Sequence, residues 1–371
     1  MKIEEIRSFL VGRYLLVRVY TNAGIVGNGE AGLWAHQGVV RQALNELSEY
    51  YVGKDPRAIE HHYQVVSRNT HFMGAVLSAA TSAIDIALWD ILGKSVSRPV
   101  YQLLGGKCRD KIRLFENIGG NTPEECAESA RQRVEQGFTS LRMTPFASGF
   151  EKETSTQNIS TAVALVQAAR QAIGEGVDLG LEIHRNLRPE EAISLARELE
   201  PFKILYYEDP LAPQSNEALE YTAQHIHLPI ATGERFYNIY QFKELIDKKV
   251  VSLIRPDLSL AGGFTQVKKI AALAEAAFVG IFPHLMGSPV NNAAFAHLAA
   301  AIPNYTHMEH NALEGPMAEI VDEQMKVEHG YRIISDRPGI GIEIVEEALE
   351  KYPRIGVPIS GYFHADGSVA H

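Results

Sequence analysis

Apolar positions along the chain recur in two different periods. Leu15-Leu16-Val17-Arg18-Val19-Tyr20 runs into Asn22-Ala23-Gly24 as a strand entering a turn, and Gly27 to Gly32 reads as a second strand and loop. The chain thus opens on an antiparallel layer. Helical spacing follows over 38–50 and 56–68, then through an Ala-rich stretch, 75–92, whose apolar positions recur every three or four residues and which Gly93 terminates.

From Lys111 the texture changes. Short β-branched or apolar runs at 112–118, 139–143, 179–183, 205–208, 230–232, 251–255, 279–282 and 305–309 alternate with amphipathic helical stretches. Thr122-Pro123-Glu124-Glu125 supplies one helix with a cap followed by Pro at its first position, and another helix opens at Gly262-Gly263 and runs through Ala277. Eight such repeats fit a closed (β/α)8 barrel better than an open doubly wound sheet. No GxGxxG or phosphate-loop turn follows the first strand to support the open sheet. The expected class is α/β, with an N-terminal layer over 1–110, a barrel over 111–320, and a segment over 321–371 that leaves the barrel and rejoins the N-terminal layer.

Composition narrows the setting. The 371 residues suffice for a barrel plus an accessory layer, and 46% apolar with 22% charged residues is the balance of a soluble globular chain. A net charge of -10 argues against nucleic acid or an anionic membrane surface as partner. Cys108 and Cys126 stand in no metal spacing and form no disulfide framework, which points to a reducing compartment. The first 20 residues lack an uninterrupted apolar core, and no window reads as a membrane span of ~18 apolar residues, so a cytoplasmic protein is expected.

The chemistry lies on the predicted strand ends. Glu182, Glu208 and Glu234 follow one another at intervals of 26 residues, one βα unit each. Barrel enzymes carry their reacting groups on that rim, where three converging carboxylates need a cation, and hard oxygen ligands select Mg²⁺ or a similar ion. Asp257, His284 and Glu309 end the next three strands. Asp257 can accept a hydrogen bond from one ring nitrogen of His284 and leave the other as a base aimed at the barrel axis. His184, two residues past Glu182, faces the same pocket from the other side or stands as a loop histidine. Arg142 ends the second strand, either to bind a substrate carboxylate or hydroxyl or as barrel packing.

With these residues in view, the chain resembles the enolase superfamily, in the mandelate racemase and muconate lactonizing subgroup, and within it the acid-sugar dehydratases of galactonate type. The resemblance rests on Ser82-Ala83-Ile84-Asp85-Ile86-Ala87-Leu88-Trp89-Asp90, Leu103-Leu104-Gly105-Gly106, Tyr207-Glu208-Asp209-Pro210, Ala231-Thr232-Gly233-Glu234-Arg235, Arg255-Pro256-Asp257 with Ala261-Gly262-Gly263, and Pro283-His284. It implies that 1–110 is an α+β capping domain completed by the C-terminal tail, with Trp34, His36 and His71 on loops that close over substrate. It also implies one Mg²⁺ on Glu182, Glu208 and Glu234, Asp257 and His284 as the base dyad, and Glu309 as a stabiliser of the ene-diolate. An even-numbered homo-oligomer is implied by the same analogy.

Two departures from the family pattern stand out. The second strand ends Ser140-Leu141-Arg142 where the racemases carry Lys-x-Lys, so two-sided lysine chemistry is disfavoured. The third carries Glu182-Ile183-His184-Arg185 where galactonate dehydratases show Asp, a residue, His and then Gly-Arg. The expected reaction is dehydration of an aldonate such as galactonate or gluconate to a 2-keto-3-deoxy acid, with His184 protonating the departing 3-hydroxyl. The rivals are an epimerase on the same site and a catalytically inactive barrel that only binds a sugar acid.

Overall fold

The computed structural model describes residues 1–311, 315–323 and 325–370. It opens with an antiparallel sheet of β1 (Ile3–Val11), β2 (Tyr14–Thr21) and β3 (Val26–Ala31), followed by helices α1 (Gln37–Tyr51), α2 (Ile59–Asn69) and α3 (Ala75–Ser95). Leu15, Val17 and Val19 of β2 alternate onto the buried face and meet Val40, Leu44, Ala79 and Ala83 of the helices. Helix α3 presses so closely on β3 that a Cβ on Gly29 would lie 2.1 Å from the Ala83 carbonyl oxygen, which is why a strand position here is glycine.

Helix α3 corrects one expectation. By length and composition it is apolar enough to cross a membrane. It is instead a core helix, apolar on nearly every face because β3 lies against one side and the barrel against the other, with 72% of its apolar window buried. Trp89 packs against both hydrophobic cores, and its Nε1 donates to Thr265 Oγ1 at 3.0 Å.

The barrel strands are β4 (Lys111–Ile118), β5 (Ser140–Met143), β6 (Asp178–Glu182), β7 (Tyr207–Glu208), β8 (Ile230–Thr232), β9 (Leu253–Ile254), β10 (Gly280–Ile281) and β11 (Met308–Glu309). Each pairs in parallel with the next from β4 to β10; β11 returns to β4 at Leu114 and Phe115, and a parallel bridge from Ile281 to Tyr305 completes the ring. Its outer helices start where the sequence signals them. Thr122 and Glu125 form a reciprocal capping box that spans Pro123, an arrangement worth about 1 kcal/mol. Inside the ring His307 stacks on Tyr206 and Phe282, the closest pair of rings being 4.5 Å apart, and Phe115 meets Phe282 and His307 edge-on, so the barrel interior is filled and chemistry is confined to the rim.

The C-terminal part differs from the expected simple return. Residues 327–333 first form a hairpin, Val327–Glu328 with Tyr331–Ile333, whose second strand pairs antiparallel with Lys111–Arg113. The early half of β4 lies below the parallel ring and needs this partner for its backbone groups. The chain then reaches the N-terminal layer: Ile340 N donates to Asp90 Oδ1 at 2.8 Å, Asn28 Nδ2 to the Ile342 carbonyl at 3.3 Å, and Gly12 N to the Tyr352 carbonyl at 3.1 Å.

Candidate active site

Seven consecutive barrel strands place polar groups at or just beyond their C-terminal ends: Arg142, Glu182, Glu208, Glu234, Asp257, His284 and Glu309. One carboxylate oxygen from each of Glu182, Glu208 and Glu234 lies within 4.8 Å of the other two, close enough to share one ion. His284 Nδ1 lies 2.8 Å from Asp257 Oδ2, and its Nε2 lies 3.8 Å from Glu234. Ser259 fixes the other oxygen of Asp257 through its N–H at 2.8 Å and its hydroxyl at 2.6 Å. The imidazole is thus oriented from behind and points its free nitrogen at the carboxylates.

Three arginines knit these acids together: Arg142, expected on the rim, and Arg255 and Arg185, which the expected site lacked. Arg255 is fully buried, pairs with Glu208, and reaches Glu309 at 3.0 Å. Arg142 bonds Glu309 at 2.7 Å and lies 3.4 Å from Glu208 and 3.6 Å from Glu182. Arg185 joins Glu234 to Asp209, the latter at 2.7 Å. Charge pairing could have flagged Arg255 and Asp209, which flank the rim acids in Arg255-Pro256-Asp257 and Glu208-Asp209. Six carboxylates still face only three guanidinium groups, an excess of negative charge in a largely dehydrated site.

That imbalance shows in the titrations. Burial pushes Asp209 up to about 8, with Glu234 and Glu182 adding to it. Burial also raises Glu182, against the pull of Arg142. Burial likewise opposes charge on Glu234 and Glu309, but His284 and Arg185 hold the first below its usual range, and Arg142 and Arg255 the second. Burial disfavours a charged His284, yet Glu234 and the Asp257 hydrogen bond overcome it and raise the imidazole to about 9.

His184 sits at a left-handed bend, φ 57°, whose amide donates to Glu182 Oε1 at 2.7 Å. Arg185 follows at φ 67°, a conformation that costs a side-chain-bearing residue about 1–2 kcal/mol, which accounts for the glycine expected there from the resemblance. Loss of surrounding water and the adjoining Arg185 hold the His184 imidazole below its ordinary value. β6 and β10 lie four strands apart in a ring of eight, so His184 and His284 approach the carboxylates from opposite sides.

Trp34, His36 and His71 are exposed on loops of the N-terminal layer. Among the described residues, no hydrogen bond or ion pair joins their side chains to the rim. Two neighbours of the Trp34 loop are tied to it: Gly32 N donates to the Ser259 carbonyl at 2.9 Å, and the buried Glu30 carboxylate accepts from Ser288 N and Asn291 N. Burial pushes Glu30 up to about 7.

Comparison with known proteins agrees with this layout. Residues 6–105 match the mandelate racemase / muconate lactonizing enzyme N-terminal domain, and residues 125–348 match the enolase C-terminal domain-like family. The chain is 35% identical over 386 residues to a D-galactonate dehydratase of Verminephrobacter eiseniae, covering all of both chains. It is 35% identical over 361 residues to a D-galactonate dehydratase of Pectobacterium atrosepticum, covering 94% of each. A solved enolase from Agrobacterium radiobacter, bound to sodium and L-malate, superposes with a TM-score of 0.94 at 27% identity over the full length of both chains.

Proposed function

The chain belongs to the mandelate racemase/muconate lactonizing enzyme family of the enolase superfamily, and from that premise we propose that it is a hydro-lyase that dehydrates an aldonate, such as D-galactonate or D-gluconate, to a 2-keto-3-deoxy acid. The observation that carries this reading is the oriented imidazole: His284 is anchored to Asp257 at 2.8 Å with its other nitrogen turned to the carboxylate cluster. The sugar-acid assignment takes its support from the full-length similarity to D-galactonate dehydratases.

The donor set fits a hard divalent cation, because three carboxylate oxygens converge and the site holds more acids than arginines. Glu182, Glu208 and Glu234 would hold Mg²⁺, which when bound supplies Lewis-acid neutralisation of charge on the substrate carboxylate. In the reaction His284 Nε2 takes the C2 proton, and the electrons of that C–H bond become the carbon–carbon double bond. The C3–O bond breaks, His184 gives its proton to the departing hydroxyl, and water leaves. The resulting enol tautomerises to the 2-keto acid. A bound carboxylate beside His184 favours its protonated form, opposing the Arg185 effect. Glu309, held ionised between two arginines, acts through Arg142, which it orients towards the charge that develops.

A screen of aldonic and aldaric acids with Mg²⁺, read as 2-keto-3-deoxy product, is the direct test. Product is expected from an aldonate with the native chain and from none with His184→Asn. Absence of product with magnesium bound would turn the reading to epimerisation at C2, which two opposed imidazoles can also perform. A failure to bind magnesium would leave the inactive barrel.

The proton on His284 gives a second expectation. Glu234 is the main group raising that imidazole to about 9, so a cation that neutralises Glu234 lowers it, and magnesium binding near pH 8 releases a proton. Calorimetric titration in two buffers of different ionisation enthalpy should give different heats. Equal heats would show that His284 does not titrate with the metal.

A further inference from the structure

Residues 362–370 form a small hairpin that the proposed mechanism leaves unused. Phe363 bridges Val369, and Gly367 N donates to the His364 carbonyl at 2.9 Å to close the turn. The hairpin docks on the loop leaving β5: His364 Nδ1 meets the Glu151 carbonyl at 2.7 Å, and the Tyr362 ring lies 6.3 Å from Phe150, itself stacked on Phe146 at 4.9 Å. Between hairpin, loop and the bend after β6 is a cavity of about 430 Å³, and Thr144, Ser148, Glu151, His184, Asn186 and Tyr362 are among its lining residues.

His184 belongs both to this cavity and to the rim, so the cavity opens on the C3 side of a substrate whose C2 faces His284. Its lining offers hydroxyls, an amide and aromatic rings, and among the described residues it contains no Lys or Arg, while Glu151 repels a second anion. We propose that this cavity receives the uncharged C4–C6 hydroxyls of a monocarboxylic sugar acid, with the C-terminal hairpin as its outer wall and Tyr362 as the residue that reads chain length. The assignment rests on the dehydratase reading.

Calorimetric binding to the magnesium-loaded full chain tests it apart from turnover. A six-carbon aldonate is expected to bind more tightly than the six-carbon diacid. Tyr362→Ala should weaken the six-carbon aldonate at least about tenfold while leaving a four-carbon aldonate within twofold, and Tyr362→Phe should give a smaller loss in the same direction. Equal losses for both chain lengths, no loss for either, or tighter binding of the diacid would overturn the subsite and leave the dehydratase reading standing. If no sugar acid binds at all, both fall.

A separate observation concerns the base dyad. The Glu30 carboxylate, 1% exposed at the end of β3, accepts from Ser288 N at 3.0 Å, Ser288 Oγ at 2.5 Å and Asn291 N at 3.1 Å, at the start of the helix Pro289–Ala301. These residues close the loop that carries His284. Two residues on, Gly32 N holds the carbonyl of Ser259, whose N–H and hydroxyl hold Asp257. One segment of the N-terminal layer therefore grips the loops of both dyad members. We infer that Glu30 is a positioning residue for the Asp257–His284 dyad, a role that also rests on the dehydratase reading.

Glu30→Gln replaces an acceptor with an amide beside N–H donors, and Ser288→Ala removes only the hydroxyl contact. C2-proton exchange with solvent is expected to slow about 10- to 100-fold in Glu30→Gln, and less in Ser288→Ala, with KM and magnesium affinity within twofold of native. An unchanged exchange rate in both variants, or KM and magnesium affinity drifting with the rate, would overturn it. Native protein without any exchange would instead remove the base assignment itself.

Discussion

His284→Asn should abolish dehydration, lowering kcat by about 10⁴-fold, the upper range for loss of a general base. Asparagine can still hydrogen-bond Asp257, but no atom of it can accept the C2 proton. Magnesium affinity should survive, because His284 lies 3.8 Å from Glu234 and none of the three converging carboxylates is altered. The same variant should lose exchange of the C2 hydrogen with solvent deuterium, which separates failed proton abstraction from failed departure of the hydroxyl. The counterpart, His184→Asn, should keep exchange and lose product. A His284→Asn protein retaining more than a hundredth of the native rate would place the base elsewhere on the rim.

The pH dependence follows from the same residue. A base works only when unprotonated, so the rate should climb with pH through the titration of His284. Without metal that titration is raised to about 9 by neighbouring acids, so excess magnesium should move the rising limb of the pH–rate profile to lower pH. A limb that does not move with magnesium concentration would argue against His284 as the titrating base.

The rim was readable because a βα repeat imposes a period: Glu182, Glu208 and Glu234 fall at equal intervals, and polar residues end the following strands in turn. Such regularity survives without knowing any contact. Arg255 stands beside Asp257 and so near the rim, but its enclosure was not readable, since an arginine before Pro256 carries no local sign that Glu208 and Glu309 will surround it. Pairing of charges distant in sequence is a tertiary fact. Helix α3 was readable as a helix from its spacing but not in its placement, because burial on nearly all sides erases the polar face that marks which side of a soluble helix meets water. The hairpins at 327–333 and 363–369 are too short to show alternation, and a two-residue strand is recognisable only by its partner.

Glu208→Gln should combine the loss of metal with the largest loss of stability among the rim variants. Glu208 is fully buried against Arg255 and within 3.4 Å of Arg142, so removing its charge takes from Arg255 one of its two close carboxylates and leaves Glu309 shared between both guanidinium groups in a dry site. Breaking a buried pair from one side costs about 3–5 kcal/mol, whereas an amide of the same shape recovers only part of the hydrogen bonding. Magnesium affinity should fall by at least about 100-fold as one anionic ligand disappears. Glu234→Gln provides the control: Glu234 is nearer solvent and pairs with Arg185, itself partly exposed, so metal affinity should fall similarly while the melting temperature moves far less. Thermal unfolding with and without magnesium measures both quantities on each variant. If Glu208→Gln kept native magnesium affinity while losing stability, Glu208 would be a structural partner of the arginines, and the cation would have to be held by Glu182 and Glu234 without it.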